Sequence, residues 1–112
     1  MPEARRTPLQ VYLPNNRVGI MKVMLVVHGF VQGVGYRYLV MKNAVSLGIK
    51  GSVRNMPDGS VLILAEGTEE QILQLIRAID ISVENGPQVY KIERSNVKDG
   101  DYGAFRDFSI EH

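Results

Sequence analysis

Between Met21 and His28 the chain alternates, but apolar residues occupy both sets of positions: Met21, Val23, Leu25 and Val27 on one face, Met24 and Val26 beside His28 on the other. A strand without a polar face is expected inside a sheet. The period then changes. Tyr36, Val40, Ala44 and Leu47 recur at helical intervals, with Met41 and Val45 beside them. They predict a helix over 38–47, entered through Tyr36 and Arg37 and stopped by Gly48. From Ile49 to Asn55 alternation returns, with Ile49, Gly51, Val53 and Asn55 on one face and Lys50, Ser52 and Arg54 on the other.

Met56-Pro57-Asp58-Gly59 is a turn, because proline presets φ and glycine accepts a positive one. A third strand, Ser60 to Glu66, is apolar on both faces through Val61–Ala65 and is expected to end at Gly67. Thr68-Glu69-Glu70-Gln71 is a capping box. It opens a second helix that runs to Asp80 or Val83 and buries Ile72, Leu75, Ile76 and Ile79. Asn85-Gly86-Pro87 breaks the chain before a fourth strand, Val89–Val97. A loop over 98–103 leads to a short edge strand, Phe105–Ile110, in which Phe105, Asp107 and Ser109 alternate with Arg106, Phe108 and Ile110.

The order is β-α-β-β-α-β plus a short C-terminal edge strand. This is the α+β class with a split βαβ, or ferredoxin-like, arrangement: an antiparallel sheet with two helices on one face. In it the first and second strands run the same way. The loop after the first strand, the N-terminus of the first helix and Asn55 therefore share one edge of the sheet.

Residues 1–20 follow neither period. Pro2, Pro8 and Pro14, with Arg5, Arg6, Asn15, Asn16 and Arg17, break both, and no apolar segment of a secretory signal is present. They are expected to form a flexible extension, of which Leu9–Leu13 could dock as an extended piece. The packed domain is 21–112, and Met21 is itself a candidate start.

At 112 residues the chain supports one core. Thirteen Lys and Arg against 12 Asp and Glu leave a net charge of +1, which gives no general attraction to nucleic acid or acidic membranes. The absence of cysteine excludes disulfides, thiol nucleophiles and thiolate metal sites, and fits a cytoplasmic location. No apolar run approaches the about 20 residues that span a bilayer. The expected protein is a monomer without nucleic-acid or membrane partners.

The candidate chemistry lies in Gly29-Phe30-Val31-Gln32-Gly33-Val34-Gly35-Tyr36-Arg37. A glycine-containing turn from strand to helix leaves backbone N–H groups unpaired around one concavity, which the helix dipole makes a seat for an anion. Arg37 stands in the first helical turn, where the dipole disfavours a cation by roughly 0.3–1 kcal/mol. Its planar fork matches two phosphate oxygens at once. Steric needs of the turn alone would also place glycines here, and a lone Arg is also an ordinary surface residue. Neither the dinucleotide fingerprint nor a Walker loop is present. Asn55 before Met56-Pro57 is equally a common turn residue, and His28 at a strand end reads as structural.

Taken together, Val27 to Arg37, Gly51-Ser52-Val53-Arg54-Asn55, Asp58-Gly59-Ser60-Val61 and Glu66-Gly67 resemble the acylphosphatase family, in element order through 21–112. The resemblance implies hydrolysis of carboxyl-phosphate bonds of small acyl phosphates without metal or cofactor. It implies Arg37 and Asn55 as catalytic residues, with the backbone of Gln32, Gly33, Val34, Gly35 and Tyr36 as the phosphate cradle. Two positions depart from the family pattern: Tyr36 replaces a usual Phe, and Ser52 replaces a usual aromatic residue on the face away from the helices.

No Cys, serine elbow or paired His supplies a nucleophile or base. An acyl phosphate needs none, since its carboxylate leaving group, with a pKa of about 4, departs without protonation. Holding the phosphoryl group and presenting a water in line suffices. Three other readings share the fold. One is a carbamoyl-phosphate-handling module of the kind found in hydrogenase-maturation carbamoyltransferases, and a second is a non-catalytic anion-binding domain. The third, an RNA-binding sheet, needs exposed aromatics on the central strands, and here those strands carry Val, Leu, Ile and Met.

Overall fold

The computed structural model describes residues 19–98 and 103–112. The expected extension therefore lies outside the described residues, Leu9–Leu13 included, apart from its last two positions, and so does most of the loop at 98–103. The elements are β1 (Ile20–Phe30), α1 (Tyr36–Ser46), β2 (Lys50–Asn55), β3 (Val61–Thr68), α2 (Glu69–Ile79), β4 (Gln88–Asn96) and β5 (Phe108–Glu111). The strands form one sheet in the order β4-β1-β3-β2-β5. The two strands without a polar face, β1 and β3, are adjacent in its middle, as their composition requires.

The sheet is mixed, not antiparallel throughout. β5 pairs with β2 in parallel, from Gly51 opposite Phe108 to Arg54 opposite Glu111. Most boundaries differ from the sequence reading by one or two residues: β1 runs on through Gly29 to Phe30 where the reading ended it at His28, and α1 starts at Tyr36 where the reading gave 38. β1 starts at Ile20, one residue earlier. β3 does not stop at Gly67 but continues to Thr68, with Gly67 opposite Met21. Gly67 leaves room inside the strand for the Gln71 side chain, whose Oε1 lies only 2.7 Å from where a Cβ would stand. β5 begins at Phe108, because Phe105 is engaged elsewhere.

That engagement follows from topology. β4 and β5 lie at opposite margins, so the chain between them must cross the sheet. Its described part from Gly103 onward lies on the face without helices, where the Lys22 ammonium donates to the Gly103 carbonyl and sits 5.4 Å from the centre of the Phe105 ring. Phe105 borders a hollow with Ser52, Leu62 and Leu64. Ser52 and Leu64 are thus only 4% and 7% exposed on the face the helices leave uncovered. The ring that Ser52 lacks is supplied from the crossing segment.

On the other face, Val23, Leu25, Val27, Val53, Ile63 and Ala65 of the sheet pack against Tyr36, Val40 and Ala44 of α1 and Ile72, Leu75 and Ile79 of α2, all buried. β2 approaches β3 very closely at Gly51. Its φ is +147°, and a Cβ there would lie 1.8 Å from the Leu64 carbonyl oxygen. The Gly51 amide donates to the Asp107 carbonyl at 2.9 Å, which starts the β2–β5 pairing.

The β2–β3 turn is tied by Asp58, whose Oδ1 accepts from the Ser60 hydroxyl at 2.6 Å and the Ser60 amide at 2.9 Å. These bonds hold the Asp58 carboxyl below the usual carboxylate range. His28 meets Glu93 across β1 and β4 at 2.9 Å, a structural pairing as expected from its position.

Candidate active site

The two helices start in opposite ways. α2 is sealed: the Thr68 hydroxyl accepts from the Gln71 amide at 3.1 Å, the Gln71 side chain accepts from the Thr68 amide at 2.8 Å, and Glu69 and Glu70 occupy the first turn. α1 is open. Its N-cap is Gly35, at φ 78° and ψ 14°, which has no side chain to cap with, and no acid lies in its first turn. Gly33 takes the same left-handed φ. The backbone amides of Gln32, Gly33, Val34, Gly35 and Tyr36 donate no hydrogen bond to any described residue. A helix N-terminus with four unspent amides before it and a fifth in its first residue is electrostatically prepared for an anion.

Arg37 and Asn55 line the same cavity. It has a volume of about 170 Å³ and is bordered also by Gly33, Gly35, Tyr36 and Tyr38. Arg37 is placed by α1 and Asn55 by the last position of β2, on the helix side that the parity of Val53 dictates. Asn55 Oδ1 is buried and has no hydrogen-bond partner. A buried acceptor left unpaired costs roughly 1–3 kcal/mol, so its retention points to an occupant such as water.

Two features that hold the site were not read from the sequence. The Gln32 side-chain amide donates to the carbonyls of Met56 at 2.8 Å and Ser60 at 2.9 Å. This staples the loop to the β2–β3 hairpin one residue beyond Asn55, so the cradle and Asn55 keep a fixed register. Arg37 Nη1 donates to the Glu111 carbonyl at 3.2 Å and stands 3.4 Å from His112 Nδ1. One nitrogen of the guanidinium is thus steadied by the end of β5, while the remaining donors of its fork have no partner among the described residues. The alternation of Phe108 and Ile110 was the only signal for this contact, and it leaves open which strand β5 would join.

The Tyr36 hydroxyl does not face the anion seat. It donates to the Ile79 carbonyl at 2.7 Å, at the C-terminal end of α2. Burial first, and the charge of Asp80 second, push its pKa well above the ordinary tyrosine value, so it stays a neutral donor. Tyr36→Phe is expected to keep turnover within about twofold and to destabilise by about 0.5–1.5 kcal/mol, because the Ile79 carbonyl loses one of its two donors and keeps the Ile81 amide at 3.1 Å. Thermal unfolding followed by circular dichroism, beside a turnover assay, checks both halves.

Among the described residues no group of three or more His, Asp or Glu is arranged to hold a metal ion, and no helix is long and apolar enough to cross a membrane.

The family model described as Acylphosphatase matches residues 23–110. The chain belongs to the acylphosphatase family. It is similar to the acylphosphatase of Mannheimia succiniciproducens, with 41% identity over 96 residues that cover 83% of this chain and 100% of that one. The crystal structure of acylphosphatase from Bacillus subtilis is similar at a TM-score of 0.71 and 32% identity, over 84% of this chain and 100% of that one. Full-length HypF, in a phosphate- and nucleotide-bound form, matches at a TM-score of 0.69 and 27% identity, over 84% of this chain but 12% of that one. Acylphosphatases hydrolyse acyl phosphates, and the chain is an enzyme of this kind. The fold anticipated from the element order is the acylphosphatase fold, with its fifth strand.

Proposed function

We propose that the cavity at the open end of α1 is where this acylphosphatase hydrolyses its substrate, a small acyl phosphate, to a carboxylate and inorganic phosphate. Arg37 and the amides of Gln32, Gly33, Val34, Gly35 and Tyr36 hold the phosphoryl oxygens. Their attraction strengthens as charge gathers on those oxygens in the transition state. Asn55 orients a water through its carbonyl oxygen and amide.

The water oxygen attacks phosphorus as the bond from phosphorus to the acyl oxygen breaks. The electron pair leaves with the carboxylate, whose pKa of about 4 makes protonation unnecessary. The proton of the attacking water passes to a phosphate oxygen, which becomes part of the inorganic phosphate released. What supports this assignment above all is Asn55 Oδ1, unpartnered on a residue that shares its cavity with Arg37. The protein works as a cytoplasmic monomer in this reading.

The test is turnover of benzoyl phosphate, carbamoyl phosphate and an alkyl phosphate monoester side by side, with and without chelator. Both acyl phosphates are expected to be hydrolysed equally with chelator present. The monoester is expected to survive, because its alkoxide leaving group needs a proton donor. Hydrolysis of the monoester at a similar rate, or loss of all turnover with chelator, would refute the mechanism.

A further inference from the structure

A groove opens beside the phosphate seat, along the exposed side of α1. It has a volume of about 520 Å³, is lined by Tyr38, Leu39, Lys42, Asn43 and Ser46, and shares Gly35 and Tyr38 with the cavity of Arg37 and Asn55. Asn55 borders the cavity and not the groove. In an in-line displacement the leaving group departs on the side of phosphorus opposite the attacking water. A water steered by Asn55 therefore sends the acyl group away from Asn55, and the groove adjoins the cavity through Gly35 and Tyr38 without touching Asn55.

The groove has a definite chemistry. α1 contains no Asp or Glu, so its charged side chains are Arg37 and Lys42 alone. Lys42 is exposed, forms no ion pair among the described residues, and places its ammonium 5.5 Å from the centre of the Tyr38 ring. The Tyr38 ring, 57% exposed, gives a flat wall between the phosphate seat and that charge. The two residues stand one helical turn apart, about 6 Å along the axis. Asn43 adds a polar rim, its amide fixed by donating to the Leu39 carbonyl at 2.9 Å.

We propose that this groove is the acyl subsite, and that Lys42 selects acyl phosphates whose acyl group carries a second carboxylate. The proposal rests on the assignment of Arg37, Asn55 and the cradle above. Tyr38 packs against the body of the acyl group, and Lys42 pairs with the carboxylate at its far end.

Benzoyl phosphate and 4-carboxybenzoyl phosphate differ by one carboxylate on the same ring, and kcat/KM on each is measured for wild type, Lys42→Gln and Lys42→Arg. Lys42→Gln is expected to lower kcat/KM on the carboxylated substrate by about fivefold, the size of one partly exposed charge pair. Turnover of benzoyl phosphate stays unchanged, and Lys42→Arg restores the preference. Added salt shrinks the wild-type preference in the same direction. An equal fall on both substrates, or no fall on either, overturns the subsite. Wild-type protein that hydrolyses neither substrate overturns the catalytic assignment beneath it as well.

Discussion

Replacing Arg37 by alanine is expected to lower kcat/KM on benzoyl phosphate by about 10³ to 10⁵, the range over which a transition-state arginine acts in phosphoryl transfer. The cradle amides remain, but Arg37, the one Lys or Arg among the described residues that line the cavity, is gone. Arg37→Lys restores a charge without the planar fork, and its activity falls between the two. Asn55→Ala is expected to cost about 10²–10³ in kcat, with KM little changed, because the proposed mechanism has Asn55 orient the water and leaves the phosphoryl group to Arg37 and the cradle. Steady-state kinetics on variants whose circular dichroism and melting match wild type separate these effects. Neither substitution should unfold the protein. Arg37 sits where the α1 dipole opposes it, and its loss is worth no more than about 1 kcal/mol of stability in either direction. A folded Asn55→Ala with full turnover would remove the water-orienting step.

The largest expected loss of stability lies at Gly51, which never enters the chemistry. A side chain there collides with the Leu64 carbonyl oxygen and must also adopt a φ of +147°. Strain and forced separation of β2 from β3 together cost roughly 3–5 kcal/mol, against a total of about 5–15 kcal/mol for an ordinary domain. Gly51→Ala should therefore melt about 15 °C or more below wild type, at about 4–8 °C per kcal/mol for a domain of this size. Thermal unfolding measures it directly, and a variant melting within a few degrees of wild type would show that the close approach is dispensable. Because β2 carries Asn55 and pairs with β5, whose end holds Arg37, activity is expected to disappear at temperatures where wild type still works.

Much of this was legible in the sequence because the informative features are local. The apolar faces of β1 and β3 gave their central places, the Thr68–Gln71 box gave the start of α2, and the alternation through Val53 put Asn55 on the helix side. The element order alone brings Arg37 and Asn55 together, because split-βαβ topology makes β1 and β2 run the same way. What stayed hidden depends on contacts distant in sequence. Gln32 gives no local sign that its amide will reach Met56 and Ser60, and nothing around Arg37 names Glu111 as its anchor. Gly67 looks like a strand terminator until Gln71 is seen folding over it. Phe105 fits the alternation of the last strand, yet the crossing of the uncovered face takes it to Ser52 and Leu64 instead. The parallel β2–β5 pair was missed for the same reason: alternation gives the faces of a strand, not its direction.

The link from β5 to Arg37 also sets a hierarchy of local openings. Four residues at the margin of the sheet, Phe108–Glu111, carry the carbonyl that steadies the guanidinium. A marginal strand detaches at lower free energy than the centre of the sheet. When this one frays, the anion seat loses its fixed cation while the interior stays packed. In the proposed mechanism, catalytic competence therefore follows the opening of the final strand, a smaller and more frequent event than global unfolding.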